Sequence, residues 1–441
     1  MKKILLSLIS LASFSAFSQW TTQNTGFTAS SRGIESIDIV DANTVWALAY
    51  DGSGGGANVQ EFTRTTNGGT TWTPGTINLG NTALQITNIS AVSATTAWVG
   101  AFDPTAGLGG TWKTTNAGVT WTKQNTTAYS TAGASWFDFV HFFDANNGVA
   151  MGDPGPSIDF EIYLTSDGGT TWTSPNAITL PNPQTDEYGY NGGYAAAGNT
   201  LWFVTNKGRI YKTTNMGVNW SVTQSPIADF GSAAISGKIY FSDNNNGVLL
   251  SSATTGNYYT TTNGGTTWST PTTFTGSHKL LSFVPGTTTL VGTSAGTPSG
   301  SSYSSNTGTT WTNIDASTTT QRGVNAFLNG STGWCGGFST NSTTGGIFKY
   351  NGAALANQQF DRKVAFEVSP NPAKDVIGIS NSDNVILTDV SINDINGRTV
   401  KTLKVDNLSE VQINISDLNS GIYFMNITSE SGTSVKKFIK N

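Results

Sequence analysis

Carboxylic acids are the side chains best able to do chemistry in this chain, and few stand outside turn positions. They are Asp103 in AFDPTAG, Asp138 in SWFDFVHF, Asp153 in MGDPGPSIDFE, and Asp186 with Glu187 in QTDEYGY. Two carboxylic acids facing each other across a cleft break a glycosidic bond, one giving a proton and the other acting as base or nucleophile. Asp153, with Asp138 or Asp103 as the second acid, is the pair that such a reaction would use. The plainer reading of Gly152-Asp153-Pro154 is a turn between strands. His141 and His278 are the only histidines, and two isolated imidazoles do not make a zinc site. Cys335 is the only cysteine. It has no disulfide partner within the chain and no nearby histidine, so it reads as a small core residue rather than a nucleophile. The Asp-Asn runs at 144–148 and 243–247 lack the ligand pattern of an EF-hand loop and read as turns. No metal or cofactor is expected.

A repeat must position these acids. The string YTTTNGGTTW at 259–268 recurs as TRTTNGGTTW (63–72), WKTTNAGVTW (112–121), YLTSDGGTTW (163–172) and YKTTNMGVNW (211–220), with a worn copy, YSSNTGTTW, at 303–311. The closing tryptophans are Trp72, Trp121, Trp172, Trp220, Trp268 and Trp311, spaced about 43–51 residues apart, as propeller blades are. Between the copies lie seven apolar–turn–apolar hairpins, such as IDIVDANTVWALA (37–49) and VHFFDANNGVAMG (140–152). One hairpin, a strand before the box and a strand opening with its Thr-Trp make four antiparallel strands, one blade. The seventh hairpin is followed by GGIFKYNG (345–352) and no box. QWTTQNTG (19–26) resembles the strand after each box, so Trp20 is expected to supply the missing strand. The expected fold is all-β: a seven-bladed β-propeller whose N-terminal strand closes the last blade. Sharing a blade between the two ends removes open edges.

Asn-Gly between strands signals a tight hairpin with positive φ at both turn residues, and the Asn or Asp side chain can bond amides two residues on. The decapeptide resembles the Asp-box, or BNR repeat, S/T-x-D-x-G-x-x-W. Asp survives only at Asp167; Asn67, Asn116, Asn215, Asn263 and Asn306 replace it elsewhere. In that family the box lies at the blade periphery, so the resemblance implies an architectural role rather than a ligand site. Asp-box propellers include sialidases, xyloglucanases, sortilin-type receptors and photosystem II assembly factors, so the fold leaves function open. Sialidase-type chemistry needs an arginine cluster, and the repeat region offers only Arg32, Arg64, Arg209 and Arg322. Xyloglucanases of this type have two propellers, and this chain has room for one.

After about residue 360 the repeat ends and charge density rises. FEVSPNPAKDVIGIS (366–380), VILTDVSINDINGRTVKTLKV (385–405), VQINISDLNSGIYFMNIT (411–428) and SVKKFIK (434–440) read as strands of a small immunoglobulin-like β-sandwich. Pro370-Asn371-Pro372, Gly397, Gly421 and Tyr423, with the basic end, resemble the type A C-terminal sorting domain of the Bacteroidetes type IX secretion system. That resemblance implies a partner, the secretion machinery, and passage through the outer membrane to the surface or beyond. Lys2 and Lys3, the apolar run Ile4–Phe14 and small residues before Gln19 read as a cleaved signal peptide. The expected organisation is 1–18 signal peptide, 19–358 propeller and 359–441 sorting domain.

Charged residues are 11% of the chain and the net charge is −5, with no basic cluster in its body, which argues against nucleic-acid binding. No second apolar run reaches membrane-spanning length. Two functions remain. One is a propeller that holds a polysaccharide or protein ligand, with Trp136, Asp153, Tyr188 and Tyr190 on its face. Trp136 has no counterpart in the other units, and the tyrosines sit in EYGYNGGY, a composition common in contact loops. The other is a secreted glycoside hydrolase using the acids above.

Overall fold

The computed structural model describes residues 19–124, 128–155, 159–174, 180–231, 237–251, 256–315, 319–352, 355, 366–380, 387–395, 398–408, 410–429 and 432–441. The chain divides into two compact units, Met1–Asn357 and Gln358–Asn441. Among the described residues there is no helix, and none therefore is long and apolar enough to cross a membrane. The leader 1–18 lies outside the described residues.

The first unit is a seven-bladed propeller. Blade one runs Arg32–Ile39, Val45–Asp51, Glu61–Thr65 and Thr73–Thr76; blade two runs Gln85–Ala91, Ala97–Phe102, Gly109–Thr114 and Thr122–Lys123. Blade three has Phe137–Phe142, Gly148–Pro154 and Phe160–Thr165, and among the described residues its fourth strand shows one bridge, between Leu164 and Thr173. Blades four to six begin at Tyr194–Ala197, Gly237–Phe241 and Leu280–Phe283, and each has four strands. Blade seven is Asn325–Asn329, Thr332–Asn341 and Thr344–Tyr350, completed by Trp20–Asn24 in antiparallel register, Trp20 opposite Tyr350. Neighbouring blades meet through their first strands, which therefore ring the axis. Second strands such as VWALA and TLWFV are continuous apolar runs because they are covered on both faces.

The decapeptide works differently from a two-residue hairpin. Positive φ falls on the two residues after the Asn, Gly68 and Gly69 in the first copy and Met216 and Gly217 in the fourth, never on the Asn itself. The Thr or Ser ending the third strand accepts the N–H four residues on, as Thr65 does from Gly69 at 2.9 Å. The Asn or Asp accepts, on Oδ1, the N–H four residues beyond itself at 2.9 Å in all six copies. The bond therefore spans four residues, not two. The first positive-φ residue donates its N–H to the turn of the inner hairpin of its own blade, as Gly68 does to Asn43 O. Each box is thus tied to the end where the first strand finishes. The fourth strand starts after the Trp rather than with the Thr-Trp pair, at Thr73 instead of Thr71 in blade one.

Each box tryptophan packs in a cluster shared with the preceding blade: Trp121 with Trp46 and Phe62, Trp172 with Trp98, Trp220 with Val149 and Leu164. A second device joins the blades. Trp46, Trp98, Trp202 and Trp334, all fully buried, sit directly opposite Arg64, Lys113, Lys212 and Lys349 on the next strand. Each cation lies 5.0–5.6 Å from the ring centre of its tryptophan, a favourable placement over the π face. Lys113 then donates to Gly168 O, in the box of the next blade, at 2.7 Å.

The second unit is a β-sandwich. One sheet holds Glu367–Ser369, Val376–Ser380 and Val411–Asn414; the other holds Thr399–Leu408, Leu387–Asp394, Gly421–Ser429 and Gly432–Lys440. Ile377, Ile379, Val390, Ile392, Met425, Ile427 and Phe438 fill its core.

Candidate functional site

The acids Asp138 and Asp153 meet at the axis-side end of blade three. Both are set there by interruptions of the ladder. Phe137 pairs with Gly152 and Phe139 with Met151, leaving Asp138 as the extra residue of a bulge. Gly152 pairs with Glu161 and Pro154 with Phe160, leaving Asp153 unpaired in the same way. Bulges re-aim side chains, and here they turn two carboxyls toward one another. The first strand of blade one bulges at Glu35 and that of blade two at Thr87, so the interruption belongs to this end of the ring. It is the end opposite the boxes.

Asp138 is almost fully buried. Burial and the charge of Asp153 hold its carboxyl well above the usual carboxylate range, and the two acids hydrogen-bond each other. Burial pushes Asp153 up to about 6, against a backbone N–H that pulls it down. Two carboxylates in contact cannot both ionise cheaply, so the pair shares a proton. Asp153 Oδ1 also accepts the N–H of Gly189 at 2.6 Å, and its own N–H donates to Trp136 O at 2.8 Å. Asn191, with its amide nitrogen facing the acceptors, donates to Asp138 Oδ1 at 3.2 Å and Phe137 O at 3.3 Å.

A strap, residues 186–193, crosses this floor. Glu187 anchors it from within: its carboxylate takes Arg209 Nη1 at 2.7 Å, Thr205 Oγ1 at 2.6 Å and the Gln184 N–H at 2.7 Å. Asn206 receives the Tyr188 N–H and donates to Asp186 O. Tyr188 is 44% exposed and stands edge-on to Tyr190, ring centres 5.6 Å apart. Tyr190 donates to Asp229 Oδ1 at 2.6 Å, and burial together with that bond raises its phenol far above its ordinary value. Trp136 is half-buried against Phe102. The structure thus brings Asp138, Asp153, Tyr188, Tyr190 and the Trp136 backbone together.

Asp103 stands apart from that pair in role. Its carboxylate caps its own loop, accepting from Thr105 and Ala106, and those bonds lower its pKa. His141 is pushed down to about 4 by burial and packs near Tyr194 and Phe143. Cys335 is fully buried, its thiol pushed up to about 12. Asp144 and Asp243 each close their own turn on two backbone amides. Among the described residues no three His, Cys, Asp or Glu side chains converge as metal ligands would. In the second unit Asn371, between Pro370 and Pro372, accepts from Ile439 N and donates to Lys437 O. Gly421 begins the strand paired with Lys440, and Tyr423 donates to Asn419 O. Gly397 lies outside the described residues. Sequence alone missed Asn191, Asn206 and Asp229, whose only signal was closeness to the tyrosine-rich segment or to turn residues.

Residues 367–441 match the secretion system C-terminal sorting domain. No curated protein matches the chain. In fold it is similar to YCF48 bound to D1 peptide: 13% identity, 76% of this chain and 98% of that chain covered, TM-score 0.52. YCF48 from Cyanidioschyzon merolae gives 14%, 75%, 98% and 0.51. An ancestral GH74 enzyme gives 13%, 95%, 63% and 0.47. The protein is a β-propeller that carries a type IX sorting domain. That domain directs it through type IX secretion to the cell surface or the extracellular space.

Proposed function

We propose that the ring is a binding module, not a hydrolase, and that it holds a protein segment or a polysaccharide on the face crossed by the strap. One observation carries this reading: the acids that hydrolysis would need are engaged with each other or with the fold. Asp138 and Asp153 are in hydrogen-bonding contact, whereas glycosidase acids stand about 5–10 Å apart. Glu187 is bound by Arg209 and Asp103 by its own turn. What the strap offers outward is Tyr188, whose ring can stack on a sugar or pack on a peptide. A solved neighbour in fold holds a peptide, which favours a protein ligand. On this reading residues 1–18 are a Sec signal peptide, 19–358 the binding ring and 359–441 the export address.

The test is an array of glycans and peptides probed with the full mature chain. A ligand should be retained by the wild type and weakened at least about tenfold by Tyr188→Ala with an unchanged melting temperature, a loss of about 1.4 kcal/mol. Cleavage products without a stable complex would overturn the reading.

A further inference from the structure

A buried carboxyl, Asp138, and a half-buried one, Asp153, converge under one glycine of the strap. Gly189 donates its N–H to Asp153 Oδ1 at 2.6 Å, and a Cβ at Gly189 would stand 2.3 Å from Asp138 Oδ2. That oxygen is sealed from water and takes no hydrogen bond from any N–H or hydroxyl of the described residues. The acid it belongs to is in contact with the acid of Asp153. The other ties from the strap to this floor are Asn191 to Asp138 Oδ1 and Phe137 O and the Gly192 N–H to Asp138 O at 3.0 Å. All run to Asp138 or to the residue before it.

We propose that the strap of residues 186–193 is a pH-sensitive latch, closed on the ring while Asp138 and Asp153 share a proton and lifted when that proton leaves. With the proton present, one acid donates to the other and Gly189 rests on the pair. Without it, two anions face each other in a site with little water to screen them. The strap is the movable wall, since the opposite walls are ladder strands.

The surrounding groups offer no relief. On the strand beside Asp153, Glu161 is itself raised by burial. Tyr129, from the segment before Trp136, is buried and raised, and feels the charge of both Glu161 and Asp138. On the strap, Glu187 is neutralised by Arg209, and Tyr190 is bound to Asp229. Tyr188 faces outward, and His141, further along the strand of Asp138, is neutral. The sign follows. Both acids are raised in the closed form, so closure is fully stabilised at low pH and that stabilisation is lost as pH climbs from the ordinary carboxylate range through the raised values; the pair gives up its first proton near the Asp153 value of about 6 and the shared one above it. The latch stands on this geometry; its consequence, ligand release in alkaline medium, rests on the binding reading above.

Hydrogen–deuterium exchange of the full mature chain tests the latch with no ligand present, so its failure is separate from failure of the binding reading. After correction for intrinsic rates, segment 184–194 should lose at least about tenfold protection between pH 5 and pH 8.5, while strand Gly148–Pro154 keeps its own. In Asp138→Asn the amide donates to Asp153 at every pH, and the segment should stay protected at both. Equal protection of the wild-type strap at the two pH values overturns the proposal, as does an Asp138→Asn strap that keeps the wild-type response. If Asp138→Asn does not fold, Asp153→Asn serves the same comparison.

Discussion

Lys349 donates from Nζ to the carbonyl of Gly68, 2.7 Å away and 281 positions distant in the chain. The bond joins the last blade to the box of the first. The ammonium also lies over the Trp334 ring, so one side chain ties a core tryptophan of blade seven to the Asn67 loop of blade one. Lys113 makes the same link between blades two and three. The seam where the chain ends meet is therefore built like an interior seam of the ring. Replacing Lys349 by Met removes the donor and leaves the Gly68 carbonyl against a thioether. The expected cost is about 1–3 kcal/mol in urea unfolding, matched by Lys113→Met. A Lys349→Met protein as stable as wild type would mean that the seam is held by strand pairing alone.

Trp20 should matter more. It is 3% exposed, lies edge-on to Phe327 and Tyr350, and donates to Ser301 Oγ at 2.9 Å. Ser301 donates to Asp315, which also binds the buried Arg322 guanidinium at 2.6 Å. Arg322 in turn lies near the Trp20 ring. Trp20→Ala removes a buried indole and one partner of that network, and should cost about 3–5 kcal/mol. Exchange protection should fall first along Thr344–Tyr350, the strand that would lose its partner. Uniform loss across all blades would instead mean that the ring unfolds as one unit.

Much of this fold was legible because blades repeat. Seven apolar hairpins stood out since each second strand is covered on both sides and needs no polar alternation, as in VWALA and TLWFV. Closure by Trp20 was legible because its strand copies the one that follows each box. The inside of the box was not. Asn-Gly suggested a two-residue turn, yet the Asn serves as an acceptor for an amide four residues on, and the positive φ belongs to its successors. The Trp98–Lys113 type of pair was hidden too, because it forms across a hairpin whose register the sequence does not print. Asp138 and Asp153 were legible as candidates but not as a contact pair. Each is the extra residue of a bulge, and one added residue leaves no mark on a run that is apolar on both sides.

The single box aspartate gives a pH experiment. Asp167 accepts from the Thr171 hydroxyl at 2.6 Å and from its N–H at 2.9 Å. Those bonds lower its pKa to about 2. A carboxylate depressed by folding stabilises the fold above its unfolded pKa, and the gain fades as pH falls through the folded value. The melting temperature of the wild type relative to Asp167→Asn should therefore decline between pH 4 and pH 2. The Asn variant, which copies the other five boxes, should show less acid sensitivity. The side chain is exposed, so the effect should be small and weaken in high salt. Parallel melting curves for the two proteins across that range would rule the contribution out.

Asn371 explains why two separated pieces of the sorting domain belong together. Its amide takes the Ile439 N–H at 3.0 Å and gives a hydrogen to Lys437 O at 3.2 Å, which is how a neighbouring strand would satisfy that edge. Two residues on, Ala373 donates to Ile439 O and accepts from Asn441 N. The segment around Pro370 and Pro372 therefore pairs with the final strand and connects it to the other sheet. Asn371→Ala should leave both edge groups without a protein partner and loosen Gly432–Lys440, at a cost of about 1–2 kcal/mol. Asn371→Asp keeps the acceptor for Ile439 but loses the donor to Lys437, so it should fall between wild type and Ala. Exchange at Ile439 reads the local effect, and the fraction of protein reaching the medium or cell surface reads the consequence for export. If Ile439 loses protection in Asn371→Ala while export is unchanged, the secretion machinery does not require this strand to be held; if both fall together, the ordered clasp is part of the export address.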